Sequence, residues 1–227
     1  MGHAKTSRAA TGSARLVAAT MVLGATALGT PSAAVSATGL LQLGSTGPKV
    51  TVLNARLGQL TYLRRGVDLP RFGARTHHAV VAFQLHAGLT ADGIVGPQTR
   101  GALARAAKPR PRLTAAGRRI EVWRGRQLAY LVRDGRVRRT FHVSTGASGY
   151  TTPAGSFTVF RREERSWSVP YSVWLPWAAY FNGGIALHGH ASVPTYPASH
   201  GCVRVPMPFA RAVYRFAALG TRVDVVA

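Results

Sequence analysis

The sequence predicts an α+β protein, a small three-helix bundle domain followed by a β-rich, sandwich-like domain. Three observations carry this reading. Between Leu40 and Lys108 the apolar residues recur at helical spacing, and between Arg119 and Ala227 they fall into short alternating runs. Between these regions, Lys108-Pro109-Arg110-Pro111-Arg112 interrupts both patterns, because each proline removes a backbone donor and drives its predecessor towards extended geometry. The expected organisation is a signal peptide over 1–37, a helical domain over 38–108, a stiff Pro/Arg-rich linker over 109–118 and the β-rich domain over 119–227.

The N-terminal segment reads as an export signal. Lys5, Arg8 and Arg15 make it basic, Leu16 to Leu28 is an apolar run, and Pro31 closes that run. Both Ser32-Ala33-Ala34 and Val35-Ser36-Ala37 fit a signal-peptidase site. An uncleaved anchor is the competing reading, although the run is shorter than the roughly 20 apolar residues that span a bilayer. Cleavage leaves a secreted protein with no stable membrane span, placed in the cell wall or the periplasm-equivalent space.

Three short helices follow. Gly47-Pro48 precedes Val50, Leu53, Leu57 and Leu60, with proline in the first turn. Thr76 is the expected cap of a second helix carrying Ala79, Val80 and Phe83, which ends by Gly88. Asp92-Gly93 makes a turn, and Gly96-Pro97 opens a third helix with Thr99, Leu103 and Ala106. Beyond the linker, Ile120–Trp123 and Leu128–Val132 read as a hairpin, Asp134-Gly135 turns the chain, and Val137 to Val143 alternates. Phe157–Phe160 is a further strand, and the succession predicts a meander. A helix over Phe209–Leu219 and a last strand over Arg222–Val226 complete the chain.

Composition narrows the function. The chain of 227 residues has 29 Lys+Arg against 7 Asp+Glu, a formal charge of +22. The signal carries three of those cations and no carboxylate, so about +19 remains on the mature chain. Such a charge matches a polyanionic neighbour such as an anionic wall polymer. It also matches the arginine drift of a high-GC genome, since 26 of the cations are arginine. No nucleic-acid-binding module is recognisable. With seven carboxylates and one cysteine, the sequence offers no calcium cage, disulfide framework or multi-cysteine zinc site, and no metal or cofactor is expected.

The helical region carries a more specific pattern. Leu41-x-x-Gly44-Ser45-x-Gly47-x-x-Val50-x-x-Leu53-Asn54 is followed by Thr76-x-x-Ala79-Val80-x-x-Phe83-Gln84. Gly88-Leu89-x-x-Asp92-Gly93-Ile94-x-Gly96-x-x-Thr99 comes next. This succession resembles the type 1 peptidoglycan-binding domain, with an unusual insert over Arg64–Phe72. The resemblance implies a three-helix wall-targeting module.

The lone cysteine is the main candidate for chemistry. Cys202 lies in Ser199-His200-Gly201-Cys202-Val203-Arg204, where Gly201 permits close backbone approach and the neighbouring cations favour a thiolate. Upstream, His188 stands in Leu187-His188-Gly189 at the end of an expected strand. These residue types alone fit a Cys–His nucleophilic pair, although a lone cysteine is also commonly an inert core residue. His188 accepts the thiol proton and returns it to the leaving amine in that arrangement. With carboxylates so scarce, a backbone carbonyl such as that of Gly189 would hold the imidazole tautomer. Backbone N–H groups at Gly201 and Cys202, with His200, are candidate oxyanion donors. Arg204 would bias the thiolate or meet a substrate carboxylate, and Ser199 would orient the loop. Tyr171, Gly189 and His190 are candidate substrate contacts. The aromatic group Trp167, Tyr171, Trp174, Trp177, Tyr180 and Phe181 fits a substrate groove or core packing equally well.

These motifs, with Ser144-Thr145-Gly146, Thr152-Pro153-x-Gly155-x-Phe157 and Gly183-Gly184-Ile185, resemble the L,D-transpeptidase (YkuD-like) catalytic domain over Arg119–Ala227. One departure is the interval of only ten residues between His188 and Ser199. The resemblance implies that Cys202 attacks the third-residue carbonyl of a peptidoglycan tetrapeptide stem and expels D-alanine, leaving a thioester. An amine of a second stem resolves it to a 3→3 crosslink. Water as acceptor would make an L,D-carboxypeptidase, and a decayed site a non-catalytic wall-binding protein. The implied partners are peptidoglycan stem peptides and glycan.

Overall fold

The computed structural model describes residues 1–2, 39–64, 66 and 70–227. The export signal expected over 1–37 therefore lies outside the described residues but for its first two, as does part of the Arg64–Phe72 insert. Among the described residues the first three helices are α1 (Pro48–Gln59), α2 (Ala74–Ala87) and α3 (Pro97–Arg105). Helices α1 and α3 both start with the proline the sequence placed there. Helix α2 begins two residues before Thr76 and has Gly73 as its N-cap, so Thr76 is not a cap. Its buried hydroxyl donates instead to Asn54 Oδ1 at 2.8 Å, tying α2 to α1. Gly88 ends α2 in the left-handed region (φ 67°), where a side chain would be strained.

Nine strands follow: β1 (Arg118–Trp123), β2 (Leu128–Arg133), β3 (Arg136–His142), β4 (Gly155–Thr158), β5 (Arg161–Ser168), β6 (Val173–Asn182), β7 (Ile185–His190), β8 (Val203–Pro206) and β9 (Arg222–Val226). Helix α4 (Met207–Phe216) lies between β8 and β9. The architecture is α+β, with two sheets of order β3-β2-β1-β9-β4 and β5-β6-β7-β8. The expected meander is found in β1–β2–β3, but β9 inserts between β1 and β4, parallel to β1. Strand β8 likewise lies parallel to β7. The connection over 191–202 carries the chain back so that β8 can run parallel to β7, and α4 then takes it from β8 in one sheet to β9 in the other.

The helices do not stand apart from the sheets. One hydrophobic cluster runs from Leu57, Val80 and Phe83 through Ile120, Leu128 and Phe141 to Leu187, Val203 and Phe209. Polar contacts cross the same seam. Thr140 N–H donates to the Thr61 carbonyl at 2.9 Å, His86 Nδ1 lies 3.1 Å from the Tyr130 hydroxyl, and His78 Nδ1 lies 2.9 Å from His142 Nε2. The linker is stitched down as well. Glu121, fully buried, accepts from the N–H groups of Arg112 and Leu113 at 2.9 and 3.0 Å.

The seam carries a pH dependence. Burial pushes His78 down to about 4 and His142 to about 3, each further lowered by its histidine neighbours. Both are neutral in the folded chain, whereas the unfolded chain takes up their protons below about 6.5. Stability is therefore full above pH 6.5 and is lost as pH falls towards 4 and then 3. Urea unfolding is expected to show at least about 2 kcal/mol less stability at pH 4.5 than at pH 7. A midpoint independent of pH over that interval would contradict neutral burial of these rings.

Candidate active site

Strands β7 and β8 bring the sequence candidates together. Their parallel register sets His188 beside Arg204, and the loop entering β8 carries Ser199, His200, Gly201 and Cys202. A cavity of about 670 Å³ lies over this junction. His188, His190, Ser199, His200, Cys202, Arg204 and Tyr171 all line it, together with Arg161 and Trp167. Among the described residues that line it there is no Asp or Glu, and the two arginines make the cavity suited to an anionic ligand. A larger groove of about 760 Å³ lies in the helical region, among Leu41, Val52, Leu53 and Leu103, without a histidine or cysteine.

His188 is 4 % exposed, and its Nδ1 lies 2.9 Å from the Gly189 carbonyl oxygen. A carbonyl only accepts, so Nδ1 carries the proton and Nε2 is left as the basic nitrogen. Burial pushes the imidazole down to about 4, opposed by the Gly189 bond and reinforced by His190 and Arg204. The Cys202 thiol is raised, chiefly by burial, while the Ala186 N–H and Arg204 act in the opposite direction. Its Sγ lies 3.8 Å from the Gly184 carbonyl. At neutral pH the resting pair is thus a thiol and a neutral imidazole.

Gly201 adopts φ 107°, a conformation that a side chain rarely reaches. Its N–H is already bonded to Ser199 Oγ at 3.1 Å, so it is not the open oxyanion donor expected from the sequence. Ser199, almost fully buried, also donates to the Cys202 carbonyl and so spans the turn around the cysteine. His200 is held between two rings, stacked on Tyr171 at 4.5 Å and edge-on to Tyr150 at 4.6 Å. That places its imidazole in an aromatic wall. Gly189 does not line the cavity. A Cβ there would meet Met207 Sδ at 2.7 Å and Ala210 Cβ at 2.8 Å, so this glycine lets α4 close against β7. Nδ1 of His190 is tied to the Ser192 carbonyl at 2.6 Å.

The sequence did not assign the bracing of the cysteine loop to any residue. Thr152 Oγ1 donates to the Gly201 carbonyl at 2.8 Å and accepts from Gly146 N–H at 2.9 Å. Gln127, buried in a left-handed turn, bonds both the N–H and the hydroxyl of Thr145. Ser144 and Gly146 then bridge to Arg204 and Ser199. The Thr152-Pro153 and Ser144-Thr145-Gly146 elements were legible as parts of the family pattern but without this bracing role, and Gln127 carries no local signal at all. Thr152→Val keeps the volume but removes both hydroxyl bonds, and is expected to lower turnover about tenfold or more while the chain stays folded. Unchanged turnover in this variant would show that the loop holds its geometry without Thr152.

Among solved structures, the chain is 39% identical to an L,D-transpeptidase from Xylanimonas cellulosilytica, with a TM-score of 0.75, covering 82% of this chain and 96% of that one. The L,D-transpeptidase catalytic domain model matches residues 117–225, and the peptidoglycan binding domain model matches residues 46–103. The chain belongs to the L,D-transpeptidase family. A second L,D-transpeptidase, from Stackebrandtia nassauensis, is 26% identical with a TM-score of 0.52, covering 82% of this chain and 95% of that one. A curated relative, a probable N-acetylmuramoyl-L-alanine amidase of Bacillus licheniformis, is 41% identical over 73 residues, which is 30% of this chain and 19% of the amidase. The chain spans less than a fifth of the length of the curated relatives it matches. No helix among the described residues is long and apolar enough to cross a membrane.

Proposed function

We propose that the chain is an exported peptidoglycan L,D-transpeptidase that forms 3→3 crosslinks from tetrapeptide stems through a cysteine thioester. The observation that carries this reading is one cavity holding Cys202, Arg204 and a buried His188 whose tautomer is fixed by the Gly189 carbonyl. In the first step Cys202 Sγ bonds to the third-residue carbonyl carbon and the thiol proton passes to His188 Nε2. The C–N bond to D-alanine then breaks, and His188 returns the proton to the leaving amine. The Cys202 N–H, with its neighbour Gly201 already engaged, is the oxyanion donor in this mechanism. Arg204 receives a stem carboxylate. In the second step a side-chain amine of another stem attacks the thioester, forms the new amide and frees the thiol.

Support for a wall substrate comes from the match of residues 46–103 to a peptidoglycan-binding domain. The test is incubation of the protein with disaccharide-tetrapeptide, read by mass spectrometry. A protein adduct lacking D-alanine, followed by crosslinked dimer, is the expected result. Tripeptide without dimer would replace transfer by hydrolysis, and no consumption of donor would overturn the reading.

A further inference from the structure

The end of the β5–β6 hairpin presents aromatic surface that neither the core nor the cysteine chemistry uses. Trp167 and Trp174 are cross-strand partners, with ring centroids 5.1 Å apart, and each is 47% exposed. The Arg165 guanidinium lies 4.1 Å over the Trp174 ring. Other aromatics of this hairpin are accounted for by packing. Trp177 rests on Tyr214 and Arg211, Phe181 is buried against Phe157, and Tyr180 lies under Arg161. Large indoles left half in water forgo the free energy their burial would supply, and a contiguous exposed group of them marks an interaction surface.

Its position indicates what occupies it. Trp167 lines the cavity that holds Cys202, and Trp174 extends the same surface outward. The wall between them and the cysteine loop is fixed by Tyr171, stacked on His200. If the donor is a stem peptide, its first residue is joined to a sugar and its third carries the reacting carbonyl. Three extended residues span at most about 10 Å. The sugar bearing the stem must therefore sit at the rim of the cavity. Flat indole faces suit the apolar faces of pyranose rings, while the indole N–H groups and Arg165 supply donors for hydroxyl and carbonyl oxygens. A lipid surface would need the hairpin end to insert, which would press the open cavity wall formed by Trp167 and Tyr171 into the bilayer.

We propose that Trp167 and Trp174 form a glycan platform that binds a sugar ring of the donor strand while its stem enters the cavity. This rests on the stem-peptide reading of the reaction. The test uses the full chain and compares free tetrapeptide with disaccharide-tetrapeptide as donors. Wild type is expected to show a KM about fivefold lower for the sugar-linked donor, the size of one aromatic contact. Trp174→Ala should bring the two donors to the same KM, and Trp174→Phe should restore most of the difference. Equal KM values in the wild type, or a difference that survives Trp174→Ala, would overturn the platform.

A second readout is independent of turnover. N-acetylglucosamine tetramer is expected to quench tryptophan fluorescence of the wild type, and Trp174→Ala should abolish that response. Absence of saccharide binding by the wild type would overturn the proposal even if donors are consumed. Saccharide binding that depends on Trp174 in a chain consuming neither donor would sustain the platform and remove only the reaction. Trp174-dependent sedimentation with phosphatidylglycerol vesicles, with saccharide binding unaffected by the substitution, would assign the surface to lipid and reject the glycan.

Discussion

Cys202→Ala is expected to abolish both the D-alanine-lacking protein adduct and crosslinked dimer, with turnover lowered by about 10⁴-fold or more. The physical reason is that neither Ser199 nor His188, the residues that flank the thiol, can take the sulfur's place. Ser199 is almost fully buried and spends its hydroxyl on the Cys202 carbonyl and the Gly201 N–H. The imidazole of His188 has one nitrogen committed to the Gly189 carbonyl, and burial lowers its basicity. Removing the sulfur should cost the fold little, because its polar contacts with the protein are weak, with Gly184 oxygen 3.8 Å away. The variant should therefore keep its unfolding midpoint within a few degrees while its activity disappears. Retention of a substantial fraction of wild-type turnover by a folded Cys202→Ala chain would remove the cysteine from the chemistry altogether.

The sequence exposed the site unevenly, and the reason is which interactions are local. Cys202, His200, Gly201, Ser199 and Arg204 lie within six residues, and the loop and strand that carry them have local signals. The helix starts at Pro48 and Pro97 and the stop at Gly88 were legible for the same reason, since proline and glycine act through their own backbone. Long-range pairing was not legible. Nothing near Arg222–Val226 announces that β9 inserts between β1 and β4, 64 residues earlier at its nearest paired position. The bracing of the cysteine loop by Thr152 and Gln127 also depends on segments brought together only by that topology. Gly189 holds the imidazole through its carbonyl as expected, but it does not line the cavity as a substrate contact. It is a position of close helix–strand approach, and its partners Met207 and Ala210 come from an element that had been placed two residues further along.

The protonation state of the resting pair leads to the other large effect. Burial pushes His188 down to about 4 and raises Cys202, so between pH 5 and 8 the proton resides on sulfur and the imidazole is neutral. A preformed thiolate–imidazolium pair would instead give a thiolate population nearly constant over that range. Alkylation of the free protein by iodoacetamide separates the two cases. For a raised thiol the rate should increase about tenfold per pH unit from 6 to 8, following the thiolate fraction, with no plateau. Turnover should behave differently, because His188 takes the proton only as the thiol attacks. Its acid limb should lie near pH 4, where His188 becomes protonated, and the profile should be flat from about 5.5 to 7.5. Replacing His188 by Gln leaves a hydrogen-bonding side chain without a base, and is expected to lower turnover by 10²–10⁴-fold, the usual range for a general base. The residual activity of that variant should climb with pH as the alkylation rate does, since hydroxide-generated thiolate is then the only nucleophile. An alkylation rate independent of pH between 5 and 8 would show that the ion pair exists before substrate arrives, and would transfer the role of burial from withholding the thiolate to excluding water from it.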